Sequence, residues 1–116
     1  MGSAMDVLTD RINDVVVAKA CGSVDGTNAT EFEKALSAAV SENDRAMIID
    51  LEQLSYISSA GLRIILLIAK AMRRHDGKLA MCSLQAPIRE VFHISGFDKI
   101  IPVHGSRAAA LDSLGS

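Results

Sequence analysis

The sequence predicts an α/β domain in which four helices pack against a single mixed β-sheet of about five strands. Three observations predict it. Short β-branched or apolar runs alternate with longer stretches whose apolar residues recur at i, i+3 and i+4. One run, "AMIIDL" at 46–51, is almost continuously apolar, as expected of a strand buried on both faces of a sheet. Glycines, prolines and clusters of Asn, Asp and Ser punctuate the chain between these segments. Alternation of this kind places helices against a parallel or mixed sheet, and 116 residues fit one domain.

In chain order, a weak first strand is expected around Asp6 to Thr9. "NDVVVAKACG" is a strand opened by the turn-prone pair Asn13-Asp14 and closed by Gly22. Thr27 or Asn28 can cap the first helix, in which Phe32, Ala35, Leu36, Ala39 and Val40 recur at helical spacing. After "AMIIDL", Ser58 or Ser59 caps a long helix to about Arg74, which the glycine of "HDGK" ends. "KLAMCSL" is a further strand. Pro87 suits the first turn of a helix through Phe92, ended by Ser95-Gly96. "KIIPV" reads as a short strand and "SRAAALDSL" as a final helix. The domain is expected over residues 5–116, with "MGSA" ahead of Met5 a remnant of expression cloning.

Composition narrows the function. Hydrophobic residues make up 49% of the chain but aromatics only 3%, so the core is built from aliphatic side chains. A formal charge of −2 gives neither nucleic acid nor an anionic membrane an electrostatic hold. The apolar run after Gly61 meets Arg63 and Lys70 too early for a membrane span. Asp6, Asp10 and Asp14 interrupt the N-terminus, so no signal peptide is expected and the domain is expected in the cytoplasm. Cys21 and Cys82 then read as small buried thiols rather than a disulfide. With no Cys-x-x-Cys or His-x-x-x-His spacing, and with Gly22 and Gly26 too sparse for a phosphate loop, neither a metal nor a nucleotide cofactor is expected.

The informative stretch is "LSYISSAGL" at 54–62. Advancing about 100° per residue from Ser59 puts Gly61, Leu62, Ile65, Leu66, Ala69 and Met72 on one side, toward the sheet. Arg63, Lys70 and Arg74 form a polar stripe near the direction of Ser59. The remaining arc, Ala60, Ile64, Leu67, Ile68 and Ala71, is apolar where a surface helix is ordinarily charged. Either neighbouring helices cover this arc, or Ala60, Ile64, Leu67 and Ala71 form an exposed docking patch beside Ser59.

One serine of the pair serves as a helix cap. A catalytic serine needs a base and an oxyanion hole, but "ISSAG" lacks the G-x-S-x-G elbow. His75 lies on the order of 24 Å along the helix from Ser59, and nothing in the sequence places His93 or His104 nearby, so no enzyme activity is expected. A phosphoacceptor fits better. The helix N-terminus tolerates a phosphate, and the added charge is felt by whatever docks on the helix.

Three stretches carry a resemblance: "GSVDGTNATEFEKAL" from Gly22, "IIDLEQLSYISSAGLRIIL" from Ile48 and "VFHISGFDKIIPV" from Val91. In this order, from about Asp6 to Leu114, the chain resembles the STAS-domain anti-sigma factor antagonists of bacterial partner-switching systems. The resemblance implies the STAS fold and a cycle. The unphosphorylated antagonist binds an anti-sigma factor that is also a serine kinase, and so frees a sigma factor it never touches. The kinase phosphorylates a serine at the start of the second helix and ends the interaction; a PP2C-type phosphatase resets it. ATP and metal belong to those partners, and the antagonist catalyses nothing. The family's motif reads Asp-Ser-Ser-Gly or Asp-Ser-Ala-Gly, with the serine after the aspartate as acceptor. That serine corresponds to Ser59, with Ser58 in the aspartate's place as a departure and minor alternative site. Asp25 matches an aspartate in the loop entering the first helix, near the phosphorylation site. The implied partner surface comprises Asp25, Ser58, Ala60, Arg63, Ile64, Leu67 and Ala71. The alternative is a STAS module that docks a fixed partner in a transporter, lipid-transport or sensory assembly, where the serines only cap.

Overall fold

A computed structural model describes residues 5–115, so the expected cloning remnant at 1–4 lies outside the described residues. Eleven elements follow one another: β1 (Met5–Ile12), β2 (Val15–Val24), α1 (Ala29–Ala39), β3 (Ala46–Asp50), β4 (Leu54–Ile57), α2 (Ser59–Arg74), β5 (Lys78–Cys82), α3 (Ala86–Ile94), a 3-10 turn (Phe97–Lys99), β6 (Val103–His104) and α4 (Arg107–Ser113). The sheet runs β1-β2-β3-β5-β6, with β4 pairing β2. Among the described strands only the β1–β2 pair is antiparallel, so the sheet is mixed.

The first two strands form a hairpin in which Ile12 faces Val15 across a two-residue turn. Asn13 and Asp14 both take positive φ, 49° and 68°. That conformation matches the twist of a hairpin, and Asn and Asp adopt it more readily than other non-glycine residues. Along β2 and β3 the side chains alternate between two cores. Val16, Ala18, Ala20, Met47 and Ile49 face α1, α2 and α3 in the larger one. Val15, Val17 and Ile48 face α4 through Ala110 in the smaller. Burial on both faces is why these strands read as near-continuous apolar runs.

The structure corrects three expectations and refines a fourth. The mixed sheet is the expected one, with six strands where about five were expected, because Leu54–Ile57 is a strand in its own right. Its four residues are too few to reveal a period, with Ser55 and Tyr56 exposed between buried Leu54 and Ile57. The last strand is Val103–His104 rather than "KIIPV", since Lys99 belongs to the preceding 3-10 turn. At the end of α2, Asp76 (φ 60°) takes the left-handed position expected of glycine. At Gly77 the space is tight instead: a Cβ there would lie 3.0 Å from the Met72 carbonyl oxygen, besides 2.8 Å from the flexible end of that side chain. Finally, Asn28 starts α1 without a side-chain cap bond, because its amide is engaged elsewhere.

Two long-range ion pairs brace the fold. Arg11 and Asp44 meet through both carboxylate oxygens, at 2.6 and 3.0 Å. The Arg11 guanidinium, with burial opposing, holds the Asp44 carboxyl down at about 2. Asp50, 5% exposed at the end of β3, receives Arg107 of α4 at 2.9 Å.

Candidate functional site

The site is built where two chain segments leave the sheet side by side. Val24, the last residue of β2, is in register with Ile57, the last of β4. The Ser58 amide donates to the Val24 carbonyl at 2.8 Å, which fixes the start of α2 against the loop beginning at Asp25.

Ser58 is the cap. Its backbone is extended (φ −86°, ψ 172°), and its hydroxyl oxygen accepts from the Gly61 amide at 3.3 Å. Its carbonyl receives the Leu62 amide at 3.0 Å, the first turn of the helix. Ser58 is thus held from both sides and half-buried. Ser59, the first helical residue, is exposed, and its hydroxyl has no partner among the described residues. Gly61 is buried beneath them, where an added Cβ would lie 2.6 Å from Ile57 Cγ1 and 2.8 Å from Val24 Cγ1. The glycine is therefore required by the close approach of α2 to the ends of β2 and β4.

Asp25 stands in the adjoining loop as the head of a tight turn. Its carboxylate accepts from the Thr27 hydroxyl and from the Thr27 amide at 2.8 Å. These bonds, the hydroxyl first, lower its pKa. Asn28, which the sequence offered only as a cap, ties the loop down: its oxygen accepts from the Asp25 amide at 2.9 Å and its NH2 donates to the Ser23 carbonyl at 3.0 Å. Its sequence signal is that of an ordinary turn residue, so this bracing role is visible only in the fold.

The second apolar arc of α2 is divided. Ile64 and Ile68 are buried, at 7% and 4% exposure, within the larger core that also holds Phe32 and Leu36 of α1. Ile64 therefore does not belong to an exposed patch, a correction to the sequence expectation. Leu67 is 43% exposed, Arg63 is exposed, and Ala60 and Ala71 are half-buried at its margin.

No described histidine bonds either serine. His93 pairs with Asp98 at 3.0 Å, His75 ends α2, and His104 lies in β6. Among the described residues no group of three or more His, Cys, Asp or Glu could hold a metal ion. No described helix is long and apolar enough to cross a membrane. Cys21 and Cys82 are both free thiols, and burial pushes Cys82 up to about 11.

The chain matches the STAS domain family over residues 6–110. It belongs to that family. This STAS domain is 45% identical over 106 residues, 91% of each chain, to BtrV of Bordetella bronchiseptica, which is proposed to be an anti-sigma factor antagonist. It is 30% identical over 95 residues, covering 82% of this chain and 80% of the relative, to the anti-sigma-B factor antagonist of Listeria monocytogenes. Among solved structures, an anti-sigma factor antagonist from Mycobacterium paratuberculosis superposes with a TM-score of 0.87 at 25% identity, covering 97% of this chain and 95% of the other. The STAS domain thus carries its two serines at the head of α2, with one bound into the cap and the other open to solvent.

Proposed function

We propose that this chain is an anti-sigma factor antagonist. Its unphosphorylated form binds an anti-sigma factor with serine kinase activity, and phosphorylation of Ser59 switches that binding off. It acts by binding and catalyses nothing, and a PP2C-type phosphatase restores it. One observation carries the reading: the two serines divide the work. Ser58 is consumed by the cap, whereas Ser59 presents an unbonded hydroxyl at the positive end of the helix dipole. A phosphate there adds a charge of about −1.5 to −2 at the edge of the Leu67 surface, and a partner must pair or desolvate it. The names of the relatives support the antagonist role.

The test is intact-protein and peptide mass spectrometry after incubation with ATP, magnesium and a candidate anti-sigma kinase, on wild type, Ser58→Ala and Ser59→Ala. A single phosphate that only Ser59→Ala removes is the expected result. Phosphate lost only in Ser58→Ala moves the acceptor by one residue. No phosphate, from a kinase active on another substrate, overturns the switch in favour of a module docking a fixed partner.

A further inference from the structure

Ser59, Arg63, Leu67, Lys70 and Arg74 share the exposed stripe of α2. At about 100° and 1.5 Å per residue they occupy an arc of about 80° and a length of about 22 Å. The helix carries Arg63, Lys70, Arg73 and Arg74 and no carboxylate, in a chain of formal net charge −2. None of the four cations forms an ion pair or side-chain hydrogen bond with a described residue. A helix face that serves solubility alone interleaves charges of both signs. This face instead holds unpaired cations around Leu67. One exposed leucine is too small an anchor for a lipid surface, and the acidic remainder of the chain opposes one.

We propose that this stripe seats on a protein partner whose surface offers carboxylates to Arg63, Lys70 and Arg74 around an apolar contact for Leu67, and that a phosphate on Ser59 competes with the partner for Arg63. The phosphate part rests on the switch proposed above. Residues four apart on a helix face one another with Cβ atoms about 5–6 Å apart, within reach of a guanidinium–phosphate pair. Phosphorylation then acts twice, removing the first cation from the partner and setting a dianion against the partner's carboxylates.

Two measurements test it. In calorimetric titration of a candidate anti-sigma kinase, Arg63→Glu and Lys70→Glu each weaken binding roughly tenfold or more at low salt. Raised salt weakens the wild type far more than either variant. Lys34→Glu, on the exposed side of α1, stays within about twofold. Charge reversals that bind as tightly as wild type overturn the stripe while leaving the antagonist role standing. So does wild-type binding to phosphatidylglycerol vesicles that Arg63→Glu abolishes while kinase binding survives. The second measurement needs no kinase: phosphoserine is installed at position 59 by genetic encoding and titrated by 31P NMR. The phosphate's second pKa is expected roughly half a unit lower in wild type than in Arg63→Gln, with Arg74→Gln unchanged. Equal values in all three overturn the pairing with Arg63, whichever protein proves to be the kinase.

Discussion

Two helices of this domain begin with the same device and end up in opposite situations. Ser58 caps α2 by accepting from the Gly61 amide at 3.3 Å, and Ser106 caps α4 by accepting from the Ala109 amide at 3.1 Å. The residue after each cap differs. In α4 it is Arg107, a cation at a helix start where the dipole disfavours it, held there by the buried carboxylate of Asp50. In α2 it is Ser59, neutral, exposed and unbonded. The third helical residue differs as well: Gly61 is buried against Ile57 and Val24, whereas Ala109 is exposed. Identical caps therefore say nothing about function. What distinguishes the head of α2 is a rigid base with a free hydroxyl on top, while the head of α4 is tied into the sheet by its first side chain.

The comparison can be broken at each position. The largest effect is expected for Ser59→Glu, which places a carboxylate on the exposed head. Binding to the proposed kinase partner is expected to fall by about a hundredfold or more in calorimetry, with the thermal midpoint within about 2 °C of wild type. Asp50→Ala attacks the other helix. It leaves Arg107 unpaired and the Glu52 amide without its acceptor at 3.0 Å. Urea unfolding is expected to show a loss of about 2–3 kcal/mol, less than for a fully buried pair because Arg107 is partly exposed. Gly61→Ala is expected to cost about 1–3 kcal/mol by overpacking against Ile57 and Val24, whereas Ala109→Gly costs only about 1 kcal/mol in helix propensity. The smallest effects belong to the caps themselves. Ser58→Ala and Ser106→Ala are each expected to cost about 1 kcal/mol, and Ser59→Ala close to nothing. A Ser59→Ala loss equal to that of Ser58→Ala sinks the division of labour between the two serines.

The chain shows openly what is written locally. The start of α2 is announced by paired serines and a following helical period, and β2, β3 and β5 by runs long enough to identify. What stays hidden depends on partners distant in sequence. Nothing near Asp50 announces Arg107, and nothing near Arg11 announces Asp44. The wheel of α2 identifies two apolar arcs, but only the position of α1 decides that Ile64 and Ile68 are covered and Leu67 is not. β4 escapes because Ser55 and Tyr56 are exposed between two buried residues, too short a pattern to separate from a loop. Which serine caps is also undecidable locally. It is settled by the Val24 carbonyl, 34 residues earlier in sequence, receiving the Ser58 amide.

That clamp has a further consequence. Ser58 is fastened through its amide, its carbonyl and its hydroxyl, at 2.8, 3.0 and 3.3 Å. Ser59 therefore cannot be drawn out into the extended conformation in which a linear substrate lies along a catalytic cleft, unless the first turn of α2 unravels. An enzyme modifying it must accept a folded surface, reading shape across α2 and the Asp25 loop rather than a string of neighbouring residues. A free peptide spanning Leu54 to Leu62 holds every local residue and none of that shape, and is accordingly expected to be a poor substrate for the proposed kinase.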